Sequence, residues 1–111
     1  MEQDRAKLER AVKEPKIQQL VEKGKITIID FYTEWCPPCK LLSEALDRVK
    51  DKDVSVRRID VDKEVELAAK IGIDAVPFVA VFDRAQKPFI AFTGYRDEEE
   101  LRALIERARG R

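Results

Sequence analysis

The chain has 111 residues, 40% of them charged, with 22 Lys and Arg balancing 22 Asp and Glu to a formal net charge of zero. That length makes about one domain with a real hydrophobic core, and the cancelled charge leaves no global field to hold nucleic acid or an anionic membrane. With no histidine and no asparagine in the chain, Cys–His catalytic pairs and Cys–His metal sites are excluded.

The first sixteen residues, MEQDRAKLERAVKEPK, are charged throughout and lack the apolar centre of a secretory signal. No segment is long and apolar enough to span a bilayer. The expectation is a cytoplasmic protein without stable membrane insertion. The alternative is a periplasmic or other extracytoplasmic domain trimmed of its signal or membrane segment. Residues 4–14 read as a helix with Leu8, Ala11 and Val12 on one side. Pro15 interrupts it, and a second helical segment carrying Ile17, Leu20 and Val21 runs to Gly24, a suitable C-terminal stop. Next, KITIIDFYT (25–33) is too continuously apolar for a sheet with one wet face and predicts a central strand.

Residues 40–50 place Leu41, Leu42, Ala45, Leu46 and Val49 at helical spacing, and VSVRRIDV (54–61) follows as a strand. Val65, Ala68, Ala69 and Ile71 mark a helix with Asp62 as its expected N-cap and Gly72 as its stop. PFVAVF (77–82) and PFIAFTG (88–94), separated by the polar stretch 83–87, read as a hairpin. The last helix begins at Asp97, carries Glu98, Glu99 and Glu100 in its first turn and ends among Arg107, Arg109 and Arg111, charges that complement the helix dipole. Leu101, Leu104, Ile105 and Ala108 form its buried stripe. A strand-helix-strand unit joined to an antiparallel hairpin predicts an α/β fold: a mixed four-stranded sheet flanked by helices on both faces, with an extra N-terminal helical segment.

Both cysteines of the chain lie in IIDFYTEWCPPCK (28–40), where the central strand gives way to a helix. Free backbone N–H groups and the dipole at a helix N-terminus favour a thiolate. Cys36, expected to be the more exposed, is the natural nucleophile. Cys39, one turn on and facing inward, is placed to attack the mixed disulfide that Cys36 forms with a substrate. Pro38 suits the first helical position and biases Pro37 away from helical angles, so the helix is expected to begin after Pro37. Neither proline has an N–H, which leaves the amides of Cys39 and Lys40 as donors to the Cys36 thiolate. That moderate stabilisation favours a reductant over a strong oxidant. Asp30 lies in the apolar strand, where an unpaired carboxylate is costly to bury. A raised pKa would suit it as general base for Cys39, directly or through water, with Arg58 on the neighbouring strand as partner. The alternative is an acid at a strand end that reaches solvent. Pro77 opens a strand, and spacing alone favours a trans bond before it.

DFYTEWCPPCK closely resembles the active-site segment of the thioredoxin family, with Pro37 where glycine is typical. GIDAVPFVAVF resembles the segment bearing that family's cis-proline, and FTGYRDEEELRALI its last strand, glycine and terminal helix. The likeness runs from about Lys25 to Ala108. It implies the thioredoxin fold as a single domain over residues 1–111, with 1–24 the helical addition and 25–109 the core. It implies Cys36 as attacking thiol, Cys39 as resolving thiol, Asp30 as buried acid, Pro77 as the cis-proline facing the disulfide, and Arg58 where a lysine often stands near that acid. Trp35, Val76, Pro77, Gly94 and Tyr95 would form a flat surface for substrate proteins, with Pro37 and Pro38 also substrate-binding and the Val76 backbone pairing to an extended segment.

The implied activity is reduction of protein disulfides by the Cys36/Cys39 pair, without a bound cofactor or metal because the pair itself carries the electrons. The implied partners are disulfide-containing proteins and an upstream reductase, either a thioredoxin reductase or a membrane electron-relay protein, acting on a monomer that binds no nucleic acid. The helical N-terminus departs from the strand typical of the family. VEKGKITIIDFYTEWC and GYRDEEEL also resemble the thioredoxin-like domains of exported reductases, including one that carries electrons to the periplasm, so an electron-relay domain is an alternative. A zinc site shared between two copies and a non-enzymatic docking scaffold are further readings. The first is short of ligands within one chain, and the second is disfavoured because both cysteines are present.

Overall fold

Ile26–Tyr32 form strand β1, whose residues are buried almost without break. In the computed structural model, which describes residues 2–111, β1 runs beside β2 (Val54–Asp60) in parallel and beside β3 (Phe78–Phe82) in antiparallel register. Strand β4 (Pro88–Thr93) closes the sheet against β3, giving the order β2-β1-β3-β4. This is the mixed four-stranded sheet of the thioredoxin fold that the sequence predicts.

Strand alternation sorts the core into two layers. On one face Ile26, Ile28, Val79 and Val81 pack against α3 (Pro37–Val49) and α5 (Glu98–Arg109) through Leu42, Leu46, Leu101 and Ile105. On the other, Ile29, Phe31, Phe78 and Phe82 meet α1 (Glu2–Val12), α2 (Pro15–Leu20) and α4 (Val65–Ile71) through Leu8, Ile17, Leu67 and Ile71. Among the described residues, no helix is long and apolar enough to cross a membrane.

Local chemistry explains where the elements depart from expectation. Helix α2 stops at Leu20, and Val21 takes extended angles. Gly24 is therefore not its stop but a left-handed turn residue before β1, with its N–H bonded to the Arg84 carbonyl at 2.8 Å. Asp62 does not cap α4: Glu64 holds that place with no side-chain cap. Leu41 and Val65 are exposed rather than part of the buried stripes. The core-facing row of α3 is Leu42, Ala45, Leu46 and Val49, and Leu41 sits one step around the helix from it. On α4 the buried pair is Leu67 and Ile71, and Ala69 on the helix is exposed with Val65.

Helix α5 follows its sequence signals closely. The Asp97 carboxylate accepts from the Glu100 N–H at 2.8 Å while the Glu100 carboxylate accepts from the Asp97 N–H at 3.1 Å, a reciprocal capping box. Asp97→Ala removes the cap and should lower the unfolding free energy by about 1 kcal/mol. Urea titration of the variant against the parent checks this, and an unchanged midpoint would show that the cap contributes nothing.

Candidate active site

At the carboxyl end of β1 the chain turns through Thr33–Trp35 and enters α3. Cys36 is the N-cap, in extended conformation, and Pro37 and Pro38 are the first two helical residues. The helix thus begins at Pro37, one residue earlier than expected. The restriction that Pro38 places on Pro37 is outweighed because a first helical turn has no internal partner for an N–H, and neither proline has one to orphan. Cys36 and Cys39 form a disulfide. The Cys39 N–H points at Cys36 Sγ from 3.2 Å. The Lys40 N–H, expected to be a second donor to that sulfur, instead donates to the Cys36 carbonyl at 3.2 Å.

Cys36 is the more exposed of the pair by only a hair, the two residues being 4% and 3% accessible, so both sulfurs are buried. What separates them is the space each one faces. Cys39 lines a cavity of about 370 Å³ with Asp30, Thr33, Lys40, Ser43 and Arg58. Cys36 lines a groove of about 730 Å³ with Trp35, Pro37, Pro38, Val65 and Val76.

Within the first space Asp30 is 1% exposed, and neither carboxylate oxygen has a hydrogen-bond partner among the described residues. Burial pushes its pKa up to about 6, against the opposing pull of the Arg58 charge. Strand register sets Asp30 directly across from Arg58. The guanidinium nonetheless turns outward, donating to the Ser43 carbonyl at 3.3 Å and lying 4.0 Å from Asp47. Arg58 therefore acts on Asp30 by field alone and is not a bonded partner. The Thr33 hydroxyl, also buried and without a partner among the described residues, belongs to a residue that lines both spaces.

In the groove, Trp35 is 72% exposed yet fixed by its indole N–H, which donates to Asp62 Oδ2 at 3.0 Å. The Val76 carbonyl oxygen lies 3.9 Å from Cys36 Sγ, and the Val76–Pro77 bond is cis. The Gly94 N–H donates to the Pro77 carbonyl at 2.8 Å, which joins the Gly94–Tyr95 loop to this rim, with Tyr95 exposed beyond it. Gly94 and Tyr95 do not themselves line the groove. Sequence reading missed Thr33, the role of Asp62 as anchor of Trp35, and the outward face of α4 formed by Val65 and Ala69. The signal for that face was present: α4 has more apolar positions than one buried stripe can use.

A C-x-x-C disulfide at a helix N-terminus, beside a buried acid and a cis-proline loop, is an arrangement suited to thiol–disulfide exchange in a mixed α/β domain. The Thioredoxin sequence profile matches residues 9–107, and the chain belongs to the thioredoxin family. It is 37% identical over 92 residues to probable thioredoxin-2 of Caenorhabditis elegans, covering 80% of this chain and 63% of that one. Against thioredoxin of Alicyclobacillus acidocaldarius it is 28% identical, covering 79% and 86%. The chain thus spans less than two thirds of the nematode protein. Among solved structures, a mutant thioredoxin from Halobacterium salinarum superposes with a TM-score of 0.73 at 28% identity, covering 86% of this chain and 84% of that one.

Raising the Asp30 pKa from 3.8 to about 6 has a defined sign. Between those values the folded protein holds a proton that the unfolded chain has released, so stability falls as pH rises through the window and the full penalty stands above about 6. The gap corresponds to about 3 kcal/mol. Asp30→Asn should therefore raise the unfolding free energy by about 2–3 kcal/mol at pH 8 and far less at pH 4. Equal effects at the two pH values, read by urea unfolding, would contradict the buried-charge account.

Proposed function

We propose that this domain is a dithiol reductant of protein disulfides whose W-C-P-P-C motif divides the work between its two sulfurs. The observation that carries the reading is that the sulfurs of one covalent bond open on different spaces, Cys36 on an apolar groove and Cys39 on the cavity of a buried carboxylate. In the reduced protein, Cys36 thiolate attacks one sulfur of a substrate disulfide, forming a mixed disulfide and releasing the other sulfur as a thiolate that takes up a proton. Asp30 accepts the Cys39 proton, directly or through water, and Cys39 attacks Cys36 Sγ. The Cys36–Cys39 disulfide forms, the substrate leaves with its second thiol, and two electrons have moved to it.

The groove between Trp35 and Val76, lined also by Pro37 and Pro38 and followed in the chain by the cis Pro77, suits an extended substrate segment lying beside Cys36. Gly94 and Tyr95 extend that surface on the far side of Pro77. Residues 1–111 work as one thioredoxin-like domain, with 1–24 as the helical addition to the 25–109 core. An upstream reductase returns the dithiol, and a reducing compartment such as the cytoplasm is where that cycle runs toward substrate. The electron-relay reading differs only in donor and acceptor, and it draws on the helix at the N-terminus in place of a strand.

Cys39→Ser should strand substrates on Cys36 as mixed disulfides recoverable by non-reducing electrophoresis, whereas Cys36→Ser should capture none. Recovery through the second variant alone would reverse the assigned roles. Insulin reduction should rise with pH through about 6 as Asp30 ionises. Asp30→Asn should lower the plateau by about a hundredfold, the lower end of general-base contributions, and flatten that rise. An unaltered profile would remove Asp30 from the proton path.

A further inference from the structure

Helix α1 carries Asp4, Lys7 and Arg10 three residues apart, so their side chains form one row along the helix. Each reaches a segment that borders the site. Thr93 Oγ1 donates to Asp4 Oδ1 at 2.7 Å, Lys7 Nζ donates to Asp74 Oδ1 at 2.9 Å, and Arg10 Nε donates to the Ile71 carbonyl at 2.8 Å. Ile71 to Asp74 leads directly into Val76 and the cis Pro77, and Thr93 leads into Gly94 and Tyr95. The bond from Gly94 to Pro77 ties the two segments to each other. One helix face therefore holds from behind both the segment that leads into the Val76 wall of the groove and the segment that leads into Gly94 and Tyr95.

The form of these contacts argues for positioning rather than adhesion. The Lys7 side chain is 9% exposed while that of Asp74 is 77% exposed, so a desolvated ammonium reaches out to a hydrated carboxylate. Desolvation offsets most of the attraction in such a pair, and an apolar side chain would pack at least as well. What the ammonium supplies is direction, since it must sit between Asp74 and the Phe78 ring, 5.9 Å from the ring centre. Gly72 makes room for the third contact: a Cβ there would come within 2.7 Å of Arg10 Nη2.

We propose that α1 is a brace for substrate docking, with Lys7 its central positioning residue. Together with Asp4 and Arg10 it fixes the 71–76 and 93–95 segments at the spacing that an extended protein substrate requires, and it does not act on the sulfur chemistry. The inference rests on the docking reading above.

The test compares two substrates of the full chain, insulin and a small aromatic disulfide such as dithiobis-nitrobenzoate, which needs no docking loops. Lys7→Met should lower kcat/KM for insulin about fivefold, mostly through KM, a loss well short of the hundredfold that follows when reacting groups are misplaced by an ångström. The rate with the small disulfide should stay within about twofold, because no reacting group has moved. Lys7→Arg should restore most of the insulin rate. Because Asp74 also lines the groove, Asp74→Ala and the double variant complete the test: a shared role predicts that the double variant loses no more than Lys7→Met alone. Additive losses, equal losses on both substrates, or insulin kinetics unchanged in Lys7→Met would each overturn the brace. If Lys7→Met does not fold, Arg10→Gln removes the neighbouring contact of the same row at an exposed side chain outside the groove and must show the same insulin-selective loss. A parent chain that reduces the small disulfide but not insulin would overturn the docking reading itself, a result distinct from any failure of the variants.

Discussion

The site depends on β1 being held from every side. Both of its edges are hydrogen-bonded, to β2 and β3, and both of its faces are packed under helices. In such a strand each side chain has one direction open to it, and a shift of one residue would exchange the two core layers. Ile26, Ile28 and Asp30 therefore share the face under α3, while Ile29 and Phe31 belong to the opposite core. That alternation brings the carboxylate into the cavity that Cys39 lines. The same strand delivers Thr33, Trp35 and Cys36 to the first turn of α3. The acid, the redox pair and the groove are thus three consequences of one strand's register.

Burying Asp30 with no hydrogen-bond partner among the described residues opposes folding by about 3 kcal/mol above pH 6, a large share of the roughly 5–15 kcal/mol that keeps a domain folded. A core built on two fully packed sheet faces can carry that load. Arg58 eases it without removing it, because its guanidinium bonds outward to Ser43 and leaves the carboxylate with field and no contact. A bonded ion pair would hold the acid ionised and lower its basicity, so the absent contact keeps Asp30 fit for exchanging a proton near neutrality.

What could be read from the sequence follows the range of the interactions involved. The strands and the α5 stripe and cap depend on neighbours within a turn, and they stand where periodicity and the Asp97–Glu100 spacing predict. The Cys36/Cys39 pair is equally local, being set by two residues of separation. The cis bond before Pro77 was legible only through family resemblance, since one proline's energetics favour trans. The direction of Arg58, the use of Asp62 by Trp35 and the exposure of Val65 all depend on what lies across the fold. No local pattern encodes them. The start of α3 at Pro37 turned on two restraints of similar size, and the tertiary setting decided between them.

The N-terminal segment carries this reasoning furthest. Strand order leaves β2 at an edge of the sheet, where Arg57 and Arg58 put charge along a border that would otherwise invite another strand. Residues 2–12 form no fifth strand there. As a helix, they lie across the sheet face that bears Phe78, Ala80 and Ala91. A strand at the β2 edge would lie at the opposite side of the sheet from Thr93. A helix on the face lies close enough to hold Thr93 and Asp74 from consecutive turns. The face helix thus gives the segments that lead into Val76 and into Gly94 a common support, which links residues 2–12 to the surface where a substrate would lie.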